Sequence, residues 1–279
     1  MNPARSSLAV SRHRYRPACR QCCGVALDMG SARTRAWLAG RRTIVDVPTV
    51  TFPGSGAVYP IRRGAIVDTA GAARMLDRLL GHRLPRLVRP LVVVTTPVLD
   101  GIAYRAAARA AVEVLRPRSV LTVPSARAVA LGAEADLTRP LLVVDLGAHL
   151  TEVVLLSEGA VVDAHRTPLG TSDLDSAPPA EISEAVVTMV TAMVRQDRTS
   201  LTRDALDRGA LLAGGGALWP EITHRLTDRL HAPLRPVPAP HTAAVRGAAR
   251  LLKAAHTHPA VTGVVPPPAG HPHRSPDPT

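Results

Sequence analysis

Two short stretches of the sequence place an aspartate just ahead of a glycine turn. In DMGSART, Asp28 ends an apolar run and Gly30 follows it, and in DLGAHLT the matching positions hold Asp145 and Gly147. A carboxylate in an apolar run is costly unless it is paired or serves chemistry. Because Mg²⁺ prefers carboxylate and water oxygens, both aspartates are candidate metal ligands. The alternative is a turn in which each carboxylate only accepts nearby amide hydrogens.

The other residues of both turns suit phosphate groups. Glycine lets the backbone approach a ligand closely, while exposed amides and hydroxyls can point at phosphate oxygens. The candidate ligand contacts are therefore Asp28, Gly30, Ser31, Ala32, Arg33, Thr34, Asp145, Gly147, Ala148, His149 and Thr151. Two assignments stay open: His149 either contacts a phosphate or is tolerated because nothing binds there. Arg33 either pairs with phosphate oxygens or reflects an arginine-rich composition.

A third glycine motif lies in GALLAGGGALWP, residues 209–220. An apolar strand ends there in three glycines, and a helix that carries Ile222, Leu226 and Leu230 begins just beyond. The glycines could lie flat under a nucleoside while the helix N-terminus faces phosphate. The candidate contacts are Gly214, Gly215, Gly216 and Ala217. A lone triple glycine would be merely a flexible turn.

The elements around these motifs alternate between strands and helices. Each aspartate turn predicts a strand, a tight turn and a second strand, and the runs 91–95 and 119–123 predict further strands. Asp100 is expected to cap the helix after the first run, and a short helix is expected from Ser125, after Pro124. Apolar residues at helical spacing predict the buried faces of three helices: Ala72, Met75, Leu76, Leu79 and Leu80; Ile102, Ala106, Ala110 and Val114; and Ile182, Ala185, Val186, Met189, Val190 and Met193.

The repeated motif predicts an α/β fold of two similar halves that face a ligand cleft. We place the first half at residues 24–138 and the second at 139–256, with a final helix that could return to the first half. A basic arm, residues 1–23, is expected to precede them. A proline-rich tail, residues 257–279, is expected to follow them.

The amino-acid composition limits the classes of partner that the chain is expected to bind. The 279 residues are 46% hydrophobic, with a formal charge of +12 and Lys253 as the only lysine. The positive charge favours an anionic partner, but an aromatic content of 2% provides few stacking platforms for nucleic acid. We expect a cytoplasmic protein, because no apolar run is long enough to cross a bilayer and no secretory signal precedes the first strand.

The basic arm carries two further expectations. It either rests on anionic lipid headgroups at the membrane surface or is a disordered tail. The three cysteines, Cys19, Cys22 and Cys23, lie within it. They are expected to be reduced thiols without a function, because a zinc site would need ligands from elsewhere in the chain.

The three glycine motifs together resemble those of a known superfamily. LDMGSART, VVDLGAHLTEV and LLAGGGALWP are similar to the phosphate-1, phosphate-2 and adenosine motifs of actins, heat-shock chaperones and sugar kinases, and the MreB family of bacterial actins is the closest match. The resemblance covers about residues 24–253 in the right order. It implies two actin-like (ribonuclease H-like) halves with mixed sheets flanked by helices, ATP and Mg²⁺ as ligands, and a role in cell shape and peptidoglycan synthesis. The implied partners are the chain itself or a full-length MreB-type filament, and cell-wall synthesis proteins.

Some segments depart from the family pattern. Only TFPGSGAVYP and DSAPPA stand where the family has small subdomains, so we expect a reduced MreB-like protein with both subdomains deleted. Ala148, His149 and Leu150 add bulk where the family's second phosphate turn has glycine and threonine. Val123 stands ahead of Pro124 where the family has an acid that positions water. We therefore expect at most a weak ATPase and name no catalytic residue.

Three functions follow from these observations. The first is a cytoskeletal protein that binds ATP weakly and assembles beside a complete MreB. The second is a small-molecule kinase, which needs a base near the γ-phosphate and has Val123 at the expected position. The third is a nucleotide-free scaffold that retains the fold as an interaction module.

Overall fold

The computed structural model describes residues 23–54, 56–85, 87–99, 101–174 and 178–257. The expectations for the basic arm, for Cys19 and Cys22, for the Asp100 cap and for the proline-rich tail beyond Thr257 lie outside these residues. Cys23 is described, and it is buried.

The described chain folds into two α/β halves in the predicted order of elements. The first half contains β1 (Gly24–Met29), β2 (Arg33–Leu38), β3 (Thr43–Pro48), β4 (Ile61–Arg62), β5 (Ala65–Ile66), α1 (Thr69–Leu80), β6 (Leu91–Thr96), α2 (Gly101–Val112), β7 (Ser119–Pro124) and α3 (Ser125–Gly132). The second contains β8 (Leu141–Leu146), β9 (Thr151–Ser157), β10 (Ala160–Thr167), α4 (Pro179–Gln196), α5 (Leu201–Arg208), β11 (Ala210–Ala213), α6 (Pro220–Leu230), β12 (Leu234–Pro236) and α7 (Ala243–Thr257).

Each half has one five-stranded sheet, and the two sheets share a topology. Their strand orders are β3-β2-β1-β6-β7 and β10-β9-β8-β11-β12. In each sheet three antiparallel strands come first in the chain, and two parallel strands then add on the other side of the central strand. The internal repeat of the sequence is therefore a repeat of the fold.

The register of the two hairpins decides which side chains share the cleft. Asp28 on β1 stands opposite Arg35 on β2. Asp145 on β8 stands opposite Glu152 on β9. Directly opposite residues project to the same face of a sheet, so each aspartate has a charged neighbour on its own side.

Helices cover the outer faces of both sheets. The predicted stripe of α1 is buried from Ala72 to Leu80 and packs on the first sheet, and the predicted stripe of α4 packs on the second. Burial of each leucine-sized side chain contributes about 1.5–3 kcal/mol. These stripes therefore hold the outer helices in place.

The predicted buried stripe of α2 is wrong. Ile102 is 79% exposed and Val114 is 39% exposed, and Ala106 and Ala110 are also exposed. The buried face contains Tyr104, Ala108, Ala111 and Val112, and Leu115, in the turn that follows the helix, is buried as well. Because α2 is rich in alanine, two of its faces are apolar, and the face with the tyrosine ring buries more area.

Helices α3 and α7 lie between the two sheets and cross at glycines. An added Cβ at Gly247 would lie 1.7 Å from the backbone oxygen of Ala128, so only glycine permits this approach. Helix α7 packs on the first sheet, where Val245 and Leu252 contact Ala26 and Val93. Helix α3 places Val129 against the second sheet. Each half is thus completed by its contact with the other.

Candidate functional site

A cleft of about 310 Å³ opens between the two aspartate hairpins. Of the predicted ligand contacts, ten line it: Asp28, Gly30, Ser31, Ala32, Arg33, Asp145, Gly147, Ala148, Gly214 and Gly215. The sequence motifs that are far apart in the chain are therefore brought to one place.

The remaining predicted contacts do not line the cleft. Thr34 and Thr151 are fully buried behind the two turns. The Thr34 hydroxyl shares a hydrogen bond with the hydroxyl of Thr49, and the Thr151 hydroxyl donates to the Leu169 carbonyl. Gly216 and Ala217 are buried behind the third glycine motif. The pleat of each hairpin directs the side chains of Thr34 and Thr151 inward, so these two residues shape the turns from behind.

The two aspartate turns have the same backbone geometry. The amide of Gly30 donates to the carbonyl of Arg33 at 3.0 Å, and the amide of Gly147 donates to the carbonyl of Leu150 at 2.9 Å. Both turns present their small residues to the cleft. A phosphate group could therefore approach the backbone from either side.

Asp28 is held by two neighbours, Thr95 and Arg35, at the end of β1. Its Oδ1 accepts a hydrogen bond from the Thr95 hydroxyl at 2.8 Å, and its Oδ2 lies 3.8 Å from Nη1 of Arg35. Burial raises the pKa of Asp28, while Arg35 and Thr95 oppose that rise. Beside it, the Tyr104 hydroxyl donates to the Met29 carbonyl at 2.7 Å. Burial, followed by the charge of Asp28, raises the pKa of that phenol far above its ordinary value.

Asp145 shares the cleft with two other carboxyl groups. Burial raises its pKa to about 7, and the nearby charges of Asp28 and Glu152 add to the rise, with Arg35 opposing it. Asp28 and Asp145 line the same cleft, so the two hairpins face one another. Near neutral pH this carboxyl group is divided between its neutral and charged forms.

Glu152 is a cleft residue that the sequence analysis did not name. Its side chain is buried, and its carboxylate accepts hydrogen bonds from the Val98 amide at 3.1 Å and the Ser125 hydroxyl at 3.4 Å. Burial raises its pKa, and the bonds from the backbone at Val98 and Leu99 oppose the rise. Because Val98 and Ser125 belong to the first half, Glu152 ties the halves together. The signal that could have found it was the hairpin register, which places it opposite Asp145.

The third glycine motif forms one wall of the cleft. Gly214 has φ +80°, and a Cβ there would lie 2.3 Å from the carbonyl oxygen of Leu146. Its amide donates to the Pro240 carbonyl at 3.1 Å. At Gly215, by contrast, an added Cβ would meet nothing within 4 Å. Pro240 and His241 also line this part of the cleft.

The two halves touch across the opening of the cleft. The Ser31 hydroxyl and Nδ1 of His149 are 3.0 Å apart and hydrogen-bonded. Leu150 packs on Gly64, where an added Cβ would lie 2.7 Å from its Cδ2 atom. Arg63 donates to Asp173 at 3.0 Å. The bulky residues of the second turn are therefore used to contact the first half.

The carboxyl groups do not form a ready-made site for a divalent cation. Among the described residues, no group of three or more His, Cys, Asp or Glu side chains is placed to hold a metal ion. Both oxygens of Asp28 already face Thr95 or Arg35. The predicted magnesium ion remains a prediction.

Val123 occupies the position where an acid was expected, and it is buried. Its side chain is 5% exposed and belongs to the apolar cluster between β6 and α7.

In the part of the chain that the structure describes, no helix has the length and apolar character of a membrane span.

Comparison with known proteins agrees with this architecture. A family model described as MreB/Mbl protein matches residues 54–179 and 177–259, which is more than half of the chain. The match begins after the first hairpin.

Solved structures show the same fold. MreB5 of Spiroplasma citri bound to ADP is 15% identical, over 86% of this chain and 100% of that chain, with a TM-score of 0.72. The structure of the same protein bound to AMPPNP is also 15% identical, over 86% of this chain and 98% of that chain, with a TM-score of 0.72. A MamK double helical filament is 15% identical over 81% of this chain and 98% of that chain, with a TM-score of 0.66.

Proposed function

Because the chain belongs to the MreB/Mbl protein family, we propose that it is an actin-like cytoskeletal protein that binds an adenine nucleotide in its cleft. The observation that carries the proposal is the meeting of Asp28, Asp145 and Gly214 around one cavity. The solved relative MreB5 was bound to ADP or AMPPNP in a similar fold. We assign the phosphates to the two turns and the nucleoside to the wall at Gly214 and Gly215.

We further propose that the chain assembles with copies of itself or with a complete MreB-type filament, in the cytoplasm, and acts in cell shape and cell-wall synthesis. MamK, a relative in fold, forms a double helical filament. Residues 49–60 join β3 to β4, and among those that the structure describes an isolated bridge pairs Thr51 with Val58, which supports a reduced form of the fold. Nucleotide then acts more as a structural ligand than as a fuel, because Val123 replaces the expected acid.

A second candidate is a nucleotide-free scaffold. The contacts of His149 with Ser31 and of Leu150 with Gly64 favour it, since they join the halves without a ligand. The two candidates differ in whether assembly depends on nucleotide.

One experiment separates them. Binding of a fluorescent ATP analogue and sedimentation with ATP are measured for the wild type and for Gly215→Phe, which places a ring where an added Cβ meets no other atom. Gly54→Phe is the matched control, because its Cβ is equally uncrowded and lies on the exposed link after β3. The proposal expects binding and pelleting to be lost only in Gly215→Phe. Pelleting that persists in Gly215→Phe, without nucleotide binding by any variant, would establish the scaffold.

A further inference from the structure

Arg35 lies in the cleft between two acidic side chains of its own sheet. It stands opposite Asp28 on one neighbouring strand and opposite Asp46 on the other. Its Nε donates to Asp46 at 3.1 Å, and Nη1 lies 3.8 Å from Asp28. The side chain is 14% exposed, and that exposed part faces the cleft. The guanidinium is therefore fixed in position, yet accessible to a ligand.

The terminal nitrogens of Arg35 are available to such a ligand. Within the described part of the chain, the only hydrogen bond of its side chain is the one from Nε. A guanidinium carries five N–H donors in a rigid fork that fits phosphate oxygens in pairs. Arg33, on the same strand, differs because Asp46 engages both its Nε and Nη2 and its side chain is 44% exposed.

The charge balance of the cleft explains what Arg35 does there. Asp28, Asp145 and Glu152 gather three carboxyl groups around the place where phosphates are proposed to bind. A divalent cation commonly neutralises such groups and bridges them to phosphate. Arg35 provides a permanent positive charge beside Asp28 and repels any metal ion that approaches the same carboxylate.

We propose that Arg35 takes over the charge-neutralising role of a divalent cation at Asp28, so that this cleft binds nucleotide phosphates with little dependence on magnesium. The inference rests on the proposed function, because the nucleotide proposed there supplies the phosphates. The part that concerns the metal stands on the geometry of Arg35 alone.

The first test uses a metal without nucleotide. Mn²⁺ is titrated into the full chain and followed by electron paramagnetic resonance, for the wild type, Arg35→Met and the double variant Arg35→Met/Asp28→Asn. Removal of the guanidinium is expected to tighten Mn²⁺ binding by about tenfold or more, and the double variant is expected to lose that gain. Equal Mn²⁺ affinity in the wild type and Arg35→Met would overturn the proposal.

The second test measures the affinity of a fluorescent ATP analogue in Mg²⁺ and in EDTA. The wild type is expected to change by less than about threefold, whereas Arg35→Met is expected to lose about tenfold in EDTA and recover in Mg²⁺. Arg35→Lys, which keeps the charge, should behave nearly as the wild type does. Arg109→Met, an exposed position on α2, controls for the loss of one arginine. Circular dichroism confirms that each variant is folded.

The outcomes separate the two proposals. A wild type that requires Mg²⁺ as strongly as Arg35→Met does would overturn the role of Arg35 and leave nucleotide binding intact. A chain that binds no nucleotide in either buffer would overturn the proposed function. The Mn²⁺ titration would still decide whether Arg35 displaces the metal.

Discussion

Ser31 Oγ and His149 Nδ1 meet at 3.0 Å and join the two aspartate turns directly across the cleft. If phosphates bind between these turns, they compete with this hydrogen bond. His149→Gly, which restores the smaller residue of the family pattern, is therefore expected to tighten binding of the fluorescent ATP analogue by about fivefold, the value of roughly 1 kcal/mol for one hydrogen bond. Ser31→Ala should have a similar effect.

The control for this prediction is His224→Ala, whose side chain is 80% exposed on α6. Weaker binding in His149→Gly would contradict the competition. That result would instead indicate that the imidazole itself contacts a phosphate.

Substitution by alanine is expected to affect stability differently at the adjacent glycines Gly214 and Gly215. Gly214→Ala places a Cβ 2.3 Å from the Leu146 carbonyl oxygen at a φ of +80°, whereas Gly215→Ala meets open space. Gly214→Ala is expected to lower the free energy of unfolding by about 2 kcal/mol or more, and Gly215→Ala by less than about 1 kcal/mol. Urea denaturation of both variants measures the difference. Equal losses would contradict the described geometry of the motif.

Asp145→Asn is expected to change the pH dependence of stability. The pKa of Asp145 is about 7 in the folded state against an ordinary value of 3.8, so the folded state binds more protons between these two pH values. Stability of the wild type therefore falls as pH rises from about 4 to 7, by about 1.4 kcal/mol per pH unit from this group alone. The variant lacks that loss, so it should be more stable than the wild type at pH 8 by an amount that shrinks toward pH 4.

Denaturation in metal-free buffer at pH 5 and pH 8 measures the effect. Asp228→Asn, an exposed acid on α6 whose side chain is 62% accessible, is the matched control. A difference between Asp145→Asn and the wild type that is the same at both pH values would contradict the prediction.

Asp197 stabilises the start of α5 from outside the helix. Its carboxylate accepts hydrogen bonds from the Thr199 hydroxyl at 2.6 Å, the Thr202 amide at 2.6 Å and the Thr199 amide at 2.7 Å. The bond from the Thr199 hydroxyl, followed by the bond from the Thr202 amide, lowers the pKa of Asp197. Asp197→Ala is expected to cost about 1 kcal/mol of stability at pH 7. Because the folded pKa is depressed, that contribution is present above 3.8 and is lost as pH falls further.

The control is Asp207→Ala, which removes a carboxylate at an exposed position of α5. Thermal unfolding at pH 7 and at about pH 2.5 compares the two variants. A loss in Asp197→Ala that stays unchanged in acid would show that the carboxylate is not the stabilising form.

The hairpins and most helices could be predicted because their patterns are local. An apolar run, a glycine turn and a second apolar run define each hairpin, and leucine and methionine at helical spacing define the buried faces of α1 and α4. The face of α2 could not be decided this way. Burial of an alanine side chain changes the free energy of folding little, so the alanines do not decide which face of α2 is buried. The buried face is the one that carries Tyr104, whose hydroxyl donates to the Met29 carbonyl.

The sequence predicted only those cleft residues that a local motif identifies. The sequence named Asp28 and Asp145 from their turns. Arg35 and Glu152 were not named, because Arg35 follows the first motif and Glu152, inside the second, has no role that the motif itself indicates. The pairing of strands within each hairpin was enough to place them. Contacts such as Arg63 with Asp173 depend on the arrangement of two distant halves, which no local pattern contains.

The position of α7 has a consequence for synthesis of the chain. Ala26, Trp37 and Val93 lie on the face of the first sheet that α7 covers, and all five strands of that sheet precede Ser125. A ribosome makes these strands long before it reaches Ala243. During that interval the nascent first half carries an open apolar face, and it is sealed only when the last helix has been translated.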